Sequence, residues 1–191
     1  MATWDETLEL LKEVFPMPDP AIRKCEVLYT LAKSFSEGDI VELGSYHGRT
    51  AIALSKGSEA GHNLKVYCID DYADHQDWAN NLYTIRDIEI FRENIKKAKV
   101  SNVVQIHKNV RNAAYGWGHN VSLLFWDTSV VGELFGDWLA WRDHITGIAF
   151  LRDTFDKRLG SLRVLHYESE RSEFKVLSEE PGILLLQRDN E

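Results

Sequence analysis

The sequence predicts an α/β fold whose sheet is mostly parallel and is covered by helices on both faces. From Asp39 onward, short apolar runs typical of strands alternate with runs whose apolar residues recur at helical spacing. This alternation is typical of parallel strands joined by crossover helices. The last two strand-like runs, 174–177 and 183–186, are separated by too few residues for a crossover helix, so we expect them to pair antiparallel.

Two helices are expected before the first strand. Thr3 and Glu6 have the spacing of a capping box at the start of an apolar helical repeat. Asp19 is expected to cap a second helix, with Pro20 in its first position and Gly38 at its end. We expect these two helices to cover one side of the sheet.

The rest of the chain divides into short elements. Strands are expected over residues 40–43, 64–69, 103–106, 121–126 and 148–151. Helices are expected over 50–55, over 133–144 and around an inner face formed by Ile85, Ile88, Phe91, Ile95 and Ala98. Because no repeat or linker interrupts the chain, we expect a single domain over 1–191, with N-terminal helices at 1–38 and an α/β core at 39–191.

Composition narrows the class of protein. The chain has 191 residues, which favours one domain, and its formal net charge of −8 disfavours a general nucleic-acid binder. Cys25 and Cys68 are too few for a disulfide scaffold and lack zinc-like spacing. The sequence has no signal-peptide layout and no apolar run near the ~20 residues that span a bilayer. We therefore expect a cytoplasmic protein that binds neither nucleic acid nor membrane.

The most informative segment is a strand-to-helix turn from Gly44 to Gly48. Glycines at such a turn let the backbone bend and let a ligand approach closely, and the amides at the following helix start favour an anionic group. Glu42, just before the turn, suits a cationic or hydroxyl-bearing ligand better than a pyrophosphate. The spacing differs from that of dinucleotide-binding and phosphate-binding loops, which disfavours a dinucleotide or nucleotide-sugar enzyme. A purely structural turn is the alternative.

A pair of acids follows the second predicted strand. In nucleotide-binding α/β folds, an acid at the place of Asp70 and Asp71 accepts hydrogen bonds from ribose hydroxyls. The alternative is that these acids cap the next turn. Together with the glycine turn, they favour a ligand that contains adenosine.

These features resemble the class I S-adenosylmethionine-dependent methyltransferases. The resemblance rests on the Glu-x-Gly-x-x-x-Gly pattern of Glu42 to Gly48, on the acid Asp70 and on the order of elements. It is strongest toward the small-molecule O-methyltransferase-like group, and its supporting segments are 41–50, 91–98, 103–106, 123–127, 147–150 and 174–188. It implies a Rossmann-like, seven-stranded sheet whose last strand is antiparallel, with S-adenosylmethionine as the cofactor of the core.

The resemblance also implies roles for particular residues. It places the turn and the acid before it beside the methionine moiety: Glu42, Gly44, Ser45, Tyr46, His47 and Gly48. Asp70 would take the ribose hydroxyls, and Asp71 or Tyr72 would lie against the adenine. Asn109 stands where the family often has an Asp that contacts the adenine amine. Asp127 would border the transferred methyl group.

The resemblance breaks down where many members of the group have Asp-Gly-Asp-His, which can bind a metal or act as a base. Here the chain reads Asp127-Thr128-Ser129-Val130, and Val130 can neither ligate a metal nor take a proton, while Ser129 is a poor ligand. After the fifth strand, where the group often has a His-Asp pair, the chain reads Leu151-Arg152-Asp153. Arg152 stays protonated and therefore cannot act as a base. We therefore expect no metal, and either metal-free methyl transfer to a small-molecule acceptor or a non-catalytic cofactor-binding or interaction protein.

Asp127 and His75 are the candidate catalytic residues. His75 lies in a polar loop after Asp70, which we expect at the mouth of the cofactor cleft, so it is the candidate base. The alternative is a solvated loop histidine. His47 is expected to pack within the turn, and His144 is expected to lie at a helix end.

Tryptophans are concentrated in the second half of the chain. Trp138 and Trp141 share a helix face and are expected in the core or an interface, with a substrate platform as the alternative. Trp126, beside Asp127, could form the floor of an acceptor pocket. Exposed aromatics on this helix would be consistent with a homodimer.

Overall fold

Strands and helices alternate along the chain in a computed structural model that describes residues 2–76, 82–127, 134–152, 158–180 and 183–189. The strands are β1 (Asp39–Leu43), β2 (Val66–Asp70), β3 (His75–Gln76), β4 (Leu82–Tyr83), β5 (Val103–His107), β6 (Val121–Trp126), β7 (Ile145–Arg152), β8 (Phe174–Glu180) and β9 (Ile183–Arg188). The helices are α1 (Trp4–Val14), α2 (Asp19–Ser34), α3 (Arg49–Ala60), α4 (Asp87–Ala98), α5 (Val110–Ala114), α6 (Leu134–Trp141) and α7 (Arg158–Ser169).

Seven strands form one sheet in the order β5-β2-β1-β6-β7-β9-β8. The first five strands in this order are parallel, and β9 runs antiparallel to both β7 and β8. The predicted α/β sheet with an antiparallel last strand is therefore confirmed. Leu43 pairs with Ile69 on one side and with Trp126 on the other, so the residues that follow β1, β2 and β6 lie side by side at the carboxyl edge.

Helices cover both faces of the sheet, as predicted. On one face, Leu43 and Trp126 pack with Trp138 of α6 and Val164 of α7. On the other face, the strands pack against α2, α3 and α4 through Leu28, Ala51 and Phe91. Every residue of β6 is buried, which is expected of a central parallel strand with helices on both sides.

The N-terminal helices agree with the prediction in place but not in all of their ends. The Thr3–Glu6 capping box is present, with both reciprocal hydrogen bonds. The predicted Asp19 cap is wrong, because Pro18 is the capping residue and Asp19 is already helical. Gly38 does not end the helix either: α2 stops at Ser34, and Gly38 takes a left-handed φ of +81° in the turn before β1.

Several elements were not predicted. The β3–β4 pair forms a separate two-stranded sheet between β2 and α4, and α5 and α7 follow β5 and β7. Ile85 lies just outside α4 and is exposed, whereas Ile88, Phe91 and Ala98 are buried as expected. Among the described residues, no helix has both the length and the apolar character that crossing a membrane requires.

Candidate functional site at the carboxyl edge of the sheet

The turn between β1 and α3 has a backbone that strongly favours glycine. Gly44 and Gly48 have φ values of +87° and +88°, and Tyr46 between them is also left-handed at +44°. A Cβ atom added at Gly48 would lie 3.0 Å from Cδ2 of Phe91 on α4. Glycine is therefore needed at position 48 for both its backbone angle and its close packing.

Asp70 holds this turn in place. Its Oδ2 accepts hydrogen bonds from the backbone N–H groups of Ser45 and Tyr46, both at 2.9 Å, and its Oδ1 accepts one from Tyr72 at 2.9 Å. Burial raises the pKa of Asp70, and these hydrogen bonds oppose the shift. The structural alternative for Asp70 is thus realised, because the carboxylate caps the turn after β1 and the one after β2.

Asp71 and Asn109 lie together beside Asp70. The Nδ2 of Asn109 is 3.4 Å from Oδ2 of Asp71, and Asn109 also caps α5 by accepting from the N–H of Asn112. Tyr72, in contrast, is 4% exposed and packs edge-on against Phe91. Of the two residues considered for the adenine, the structure leaves Asp71 near the surface and places Tyr72 in the core.

Glu42 is the most unusual acid of the site. Its side chain is fully buried, and neither carboxyl oxygen has a hydrogen-bond partner in the described part of the chain. Burial raises the pKa of Glu42 to about 7; the nearby Thr50 and Ser45 hydroxyls and the Cys68 thiol oppose this shift without reaching hydrogen-bond geometry. The Oγ of Ser45 is also buried and unpartnered. Such groups are costly to bury unless a ligand satisfies them.

Asp127 is held between two cations. Its Oδ2 is 2.8 Å from Nζ of Lys24 on α2, and its Oδ1 is 2.7 Å from Nη1 of Arg152 at the end of β7. Although burial opposes it, these two charges hold the pKa of Asp127 below its usual value. The backbone N–H of Asp127 donates to the carbonyl of Leu43, which places it beside the glycine turn. A carboxylate so paired is a weak general base.

The structure describes the side chains of only some of the other predicted site residues. His47 lies 2.7 Å from Asp87 through Nε2 and stacks on Tyr46, in keeping with a packing role. His75 lies in β3, but its side chain is outside the described part of the structure, and so are residues 128–133 with Ser129 and Val130. Within the described ranges, no group of three or more His, Cys, Asp or Glu side chains could hold a metal ion.

The tryptophans belong to the core. Trp126 is 3% exposed and its Nε1 donates to Asp137 at 2.9 Å, so the predicted acceptor-pocket floor is wrong. Trp138 is buried and donates to Glu168 at 2.8 Å, and Trp141 is fully buried. Both tryptophans of α6 face inward, so neither provides the exposed aromatic surface that would have supported a homodimer.

Solved structures share this fold. The O-methyltransferase NovP is 13% identical, with a TM-score of 0.67 over 92% of this chain and 84% of that one. The SAH-bound Podospora anserina methyltransferase PaMTH1 is 15% identical, with a TM-score of 0.69 over 98% and 88%. The O-methyltransferase from Bacillus cereus in complex with SAH is 13% identical, with a TM-score of 0.66 over 97% and 90%. No curated protein matches the chain in sequence.

The sequence family is established by a separate comparison. The profile of a family described as a methyltransferase domain matches residues 41–151, which is more than half of the chain. The matched region contains the glycine turn, the acids after β2 and the ion-paired Asp127. The predicted resemblance is therefore confirmed, and the chain belongs to the methyltransferase domain family.

Proposed function

We propose that this chain is an S-adenosylmethionine-dependent methyltransferase that acts on a small-molecule acceptor without a metal ion. The observation that carries the proposal is the buried, unpartnered carboxyl group of Glu42 beside a left-handed glycine turn. Family membership supplies the class of reaction. The structure supplies a polar cradle at the edge of the sheet where α/β proteins bind their ligands.

The described residues fit such a cofactor. Glu42 and the Ser45 hydroxyl offer acceptors to an ammonium group of the methionine moiety, which would satisfy oxygens that otherwise lack partners. Asp71 and Asn109, together with Asp70, offer acceptors and donors to ribose hydroxyls and adenine. When bound, S-adenosylmethionine supplies an electrophilic methyl group. Neighbours of the same fold carry SAH, which is S-adenosylhomocysteine, the demethylated product of S-adenosylmethionine, and they support this assignment.

The absence of a metal is proposed from the charges around Asp127. Lys24 and Arg152 engage both of its oxygens, so the acid that remains from the resembled metal motif already has cationic partners. The net charge of −8 supports a small-molecule acceptor over nucleic acid. A cytoplasmic location stays a prediction from the sequence.

A non-catalytic cofactor-binding protein is the second candidate. It is favoured by the same ion pairs, because they weaken Asp127 as a base. In the catalytic case, His75 is the residue proposed to take the acceptor proton, since β3 follows the acids of β2 closely in the chain. A His75→Ala variant that retains full turnover with an identified acceptor would exclude this role.

Calorimetry with S-adenosylmethionine and with its demethylated product, S-adenosylhomocysteine (SAH), tests the proposal. We expect both to bind, followed by SAH release when a panel of small acceptors is added. Binding of neither compound would contradict both candidate functions. Binding of both without SAH release across the panel would favour the non-catalytic candidate.

A further inference from the structure

A cluster of two cations and one carboxylate lies at the carboxyl edge of the sheet. Lys24 and Arg152 each contact one oxygen of Asp127, at 2.8 and 2.7 Å. Two positive charges and one negative charge leave the cluster with one net positive charge, although the chain as a whole has a formal net charge of −8. A local positive surplus in an acidic chain favours an anionic ligand.

The exposure of the three side chains shows which of them a ligand can reach. Lys24 is 8% exposed and Asp127 is 17% exposed, whereas Arg152 is 37% exposed. The guanidinium group of Arg152 therefore forms the outer end of the cluster. A guanidinium has five N–H donors in a planar fork, which matches the two oxygens of a carboxylate.

The cluster lies across β1 from the residues proposed to bind the ribose and the adenine. Asp70, Asp71 and Asn109 follow β2 and β5, on one side of β1. Asp127 and Arg152 lie at the ends of β6 and β7, on the other side of β1. If the cofactor occupies the first side, as the proposed function requires, the second side remains for the acceptor.

Glu42 is a second acid, whose pKa Asp127 raises, and it cancels only part of this positive charge. Its buried carboxyl group has a pKa raised to about 7, so its charge at neutral pH is smaller than that of an ordinary glutamate. Lys24 neutralises Asp127 from the buried side, which leaves the charge of Arg152 available toward solvent.

We propose that the Lys24–Asp127–Arg152 cluster binds a carboxylate group of the methyl acceptor. Arg152 contacts the carboxylate, and Lys24 is a positioning residue that acts through Asp127. The acceptor class is thus a small carboxylic acid. This inference rests on the proposed function for the location of the acceptor, but its charge preference can be measured separately.

The test compares para-hydroxybenzoate with its neutral analogue para-hydroxybenzamide. Each is titrated into the full chain, with and without SAH, and binding is followed by calorimetry or NMR. We expect the acid to bind about tenfold tighter or more, the effect of one charge-assisted pair. Equal binding of the two compounds, or binding of neither, would overturn the proposal. Failure of SAH to bind would instead count against the proposed function.

Charge-changing variants identify the residues responsible. Arg152→Gln should remove the preference for the acid, and Arg152→Lys should retain part of it. Lys24→Met should also remove it, because Asp127 then cancels Arg152, whereas the double variant Lys24→Met/Asp127→Asn should regain it. Lys12→Gln, in an exposed pair on α1, is the matched control and should leave the preference unchanged. The preference is the ratio of the two dissociation constants measured on the same variant, so a general loss of stability does not change it.

The outcomes are mutually exclusive. Loss of the preference in both single variants and its return in the double variant would establish the cluster as the carboxylate site. A preference that persists in Arg152→Gln, or that the double variant fails to regain, would mean that the ion pairs only join α2 to the sheet.

Discussion

Nζ of Lys24 on α2 lies 2.8 Å from Oδ2 of Asp127, which follows the central strand β6. This ion pair joins residues 103 positions apart and ties the N-terminal helices to the carboxyl edge of the sheet. The Lys24 side chain is 8% exposed, so the pair is largely protected from solvent. A partly buried ion pair is costly to break from one side, because the remaining charge loses a partner that water does not fully replace.

Lys24→Met should lower the free energy of unfolding by about 1–3 kcal/mol, since Asp127 would keep Arg152 but lose its buried partner. Urea unfolding at neutral pH measures the change. The control Lys12→Met removes an exposed pair with Glu9 and should cost less than about 1 kcal/mol. Equal losses in the two variants would show that the buried pair stabilises the fold no more than the exposed pair does.

The same pair has a defined pH dependence. Because the pKa of Asp127 is lowered in the folded state, its stabilisation is present above the ordinary carboxyl pKa of about 4. It is lost as the pH falls through the lower folded value. The stability difference between wild type and Lys24→Met should therefore shrink under acid conditions.

Glu42→Gln should show the opposite pH dependence. The pKa of Glu42 is raised from 4.5 to about 7, so the folded state binds its proton more tightly than the unfolded state. Wild-type stability therefore falls as the pH rises through that window and is constant above it. The variant should be close to wild type at about pH 5 and more stable by up to about 3 kcal/mol at about pH 8.

Urea unfolding at several pH values checks this prediction, and SAH binding adds a second measurement. If the carboxyl group receives an ammonium group, Glu42→Gln should bind SAH more weakly while it gains stability. Glu13→Gln, at an exposed position of α1, should change neither quantity. A stability difference that is independent of pH would show that Glu42 is not titrating in this range.

The central sheet could be predicted from the sequence because its strands are continuous apolar runs. The predicted range 121–126 coincides with β6, all of whose residues are buried. The glycine turn was visible for a similar local reason, since Gly44 and Gly48 adopt backbone angles that other residues rarely take.

The remaining features depend on contacts that no local pattern records. Helix α7 contains Gly160 and lacks a clear apolar stripe, and β3 and β4 have only two residues each. The sequence does not indicate the buried ion pair of Lys24, because a lysine on a helix is ordinarily solvated and its partner Asp127 is distant in sequence. The prediction that Trp126 forms a pocket floor is wrong because a strand end beside an acid indicates an accessible side chain. In the structure, the indole N–H of Trp126 donates to Asp137 of α6 in the core.

Gly44→Val should weaken SAH binding by about tenfold or more, because a β-branched residue is strained by about 1–3 kcal/mol at a left-handed φ. Relief of that strain would move the turn that separates Glu42 from α3. Gly118→Val is the matched control, since a Cβ there meets no atom within 4 Å. Calorimetry on both variants decides the matter, and an unchanged dissociation constant for Gly44→Val would mean that the turn is not part of the cofactor site.

Asp70→Asn and Asp71→Asn should separate structural from ligand-binding roles at the end of β2. Asp70 accepts three backbone N–H groups with its two oxygens, so an amide would place an NH2 group opposite at least one donor. We expect Asp70→Asn to lower the free energy of unfolding by about 1–3 kcal/mol. Any loss of SAH affinity in that variant would accompany the loss of stability.

Asp71→Asn should instead leave unfolding nearly unchanged. One of its oxygens accepts from the Ala73 N–H at 3.2 Å, which an amide oxygen can also do, and its contact with Asn109 is long at 3.4 Å. If Asp71 accepts a ligand hydroxyl, the variant should bind SAH about tenfold more weakly. Paired urea unfolding and calorimetry measure both effects. Unchanged SAH binding in Asp71→Asn would exclude this ligand contact and make Asp71 a surface acid.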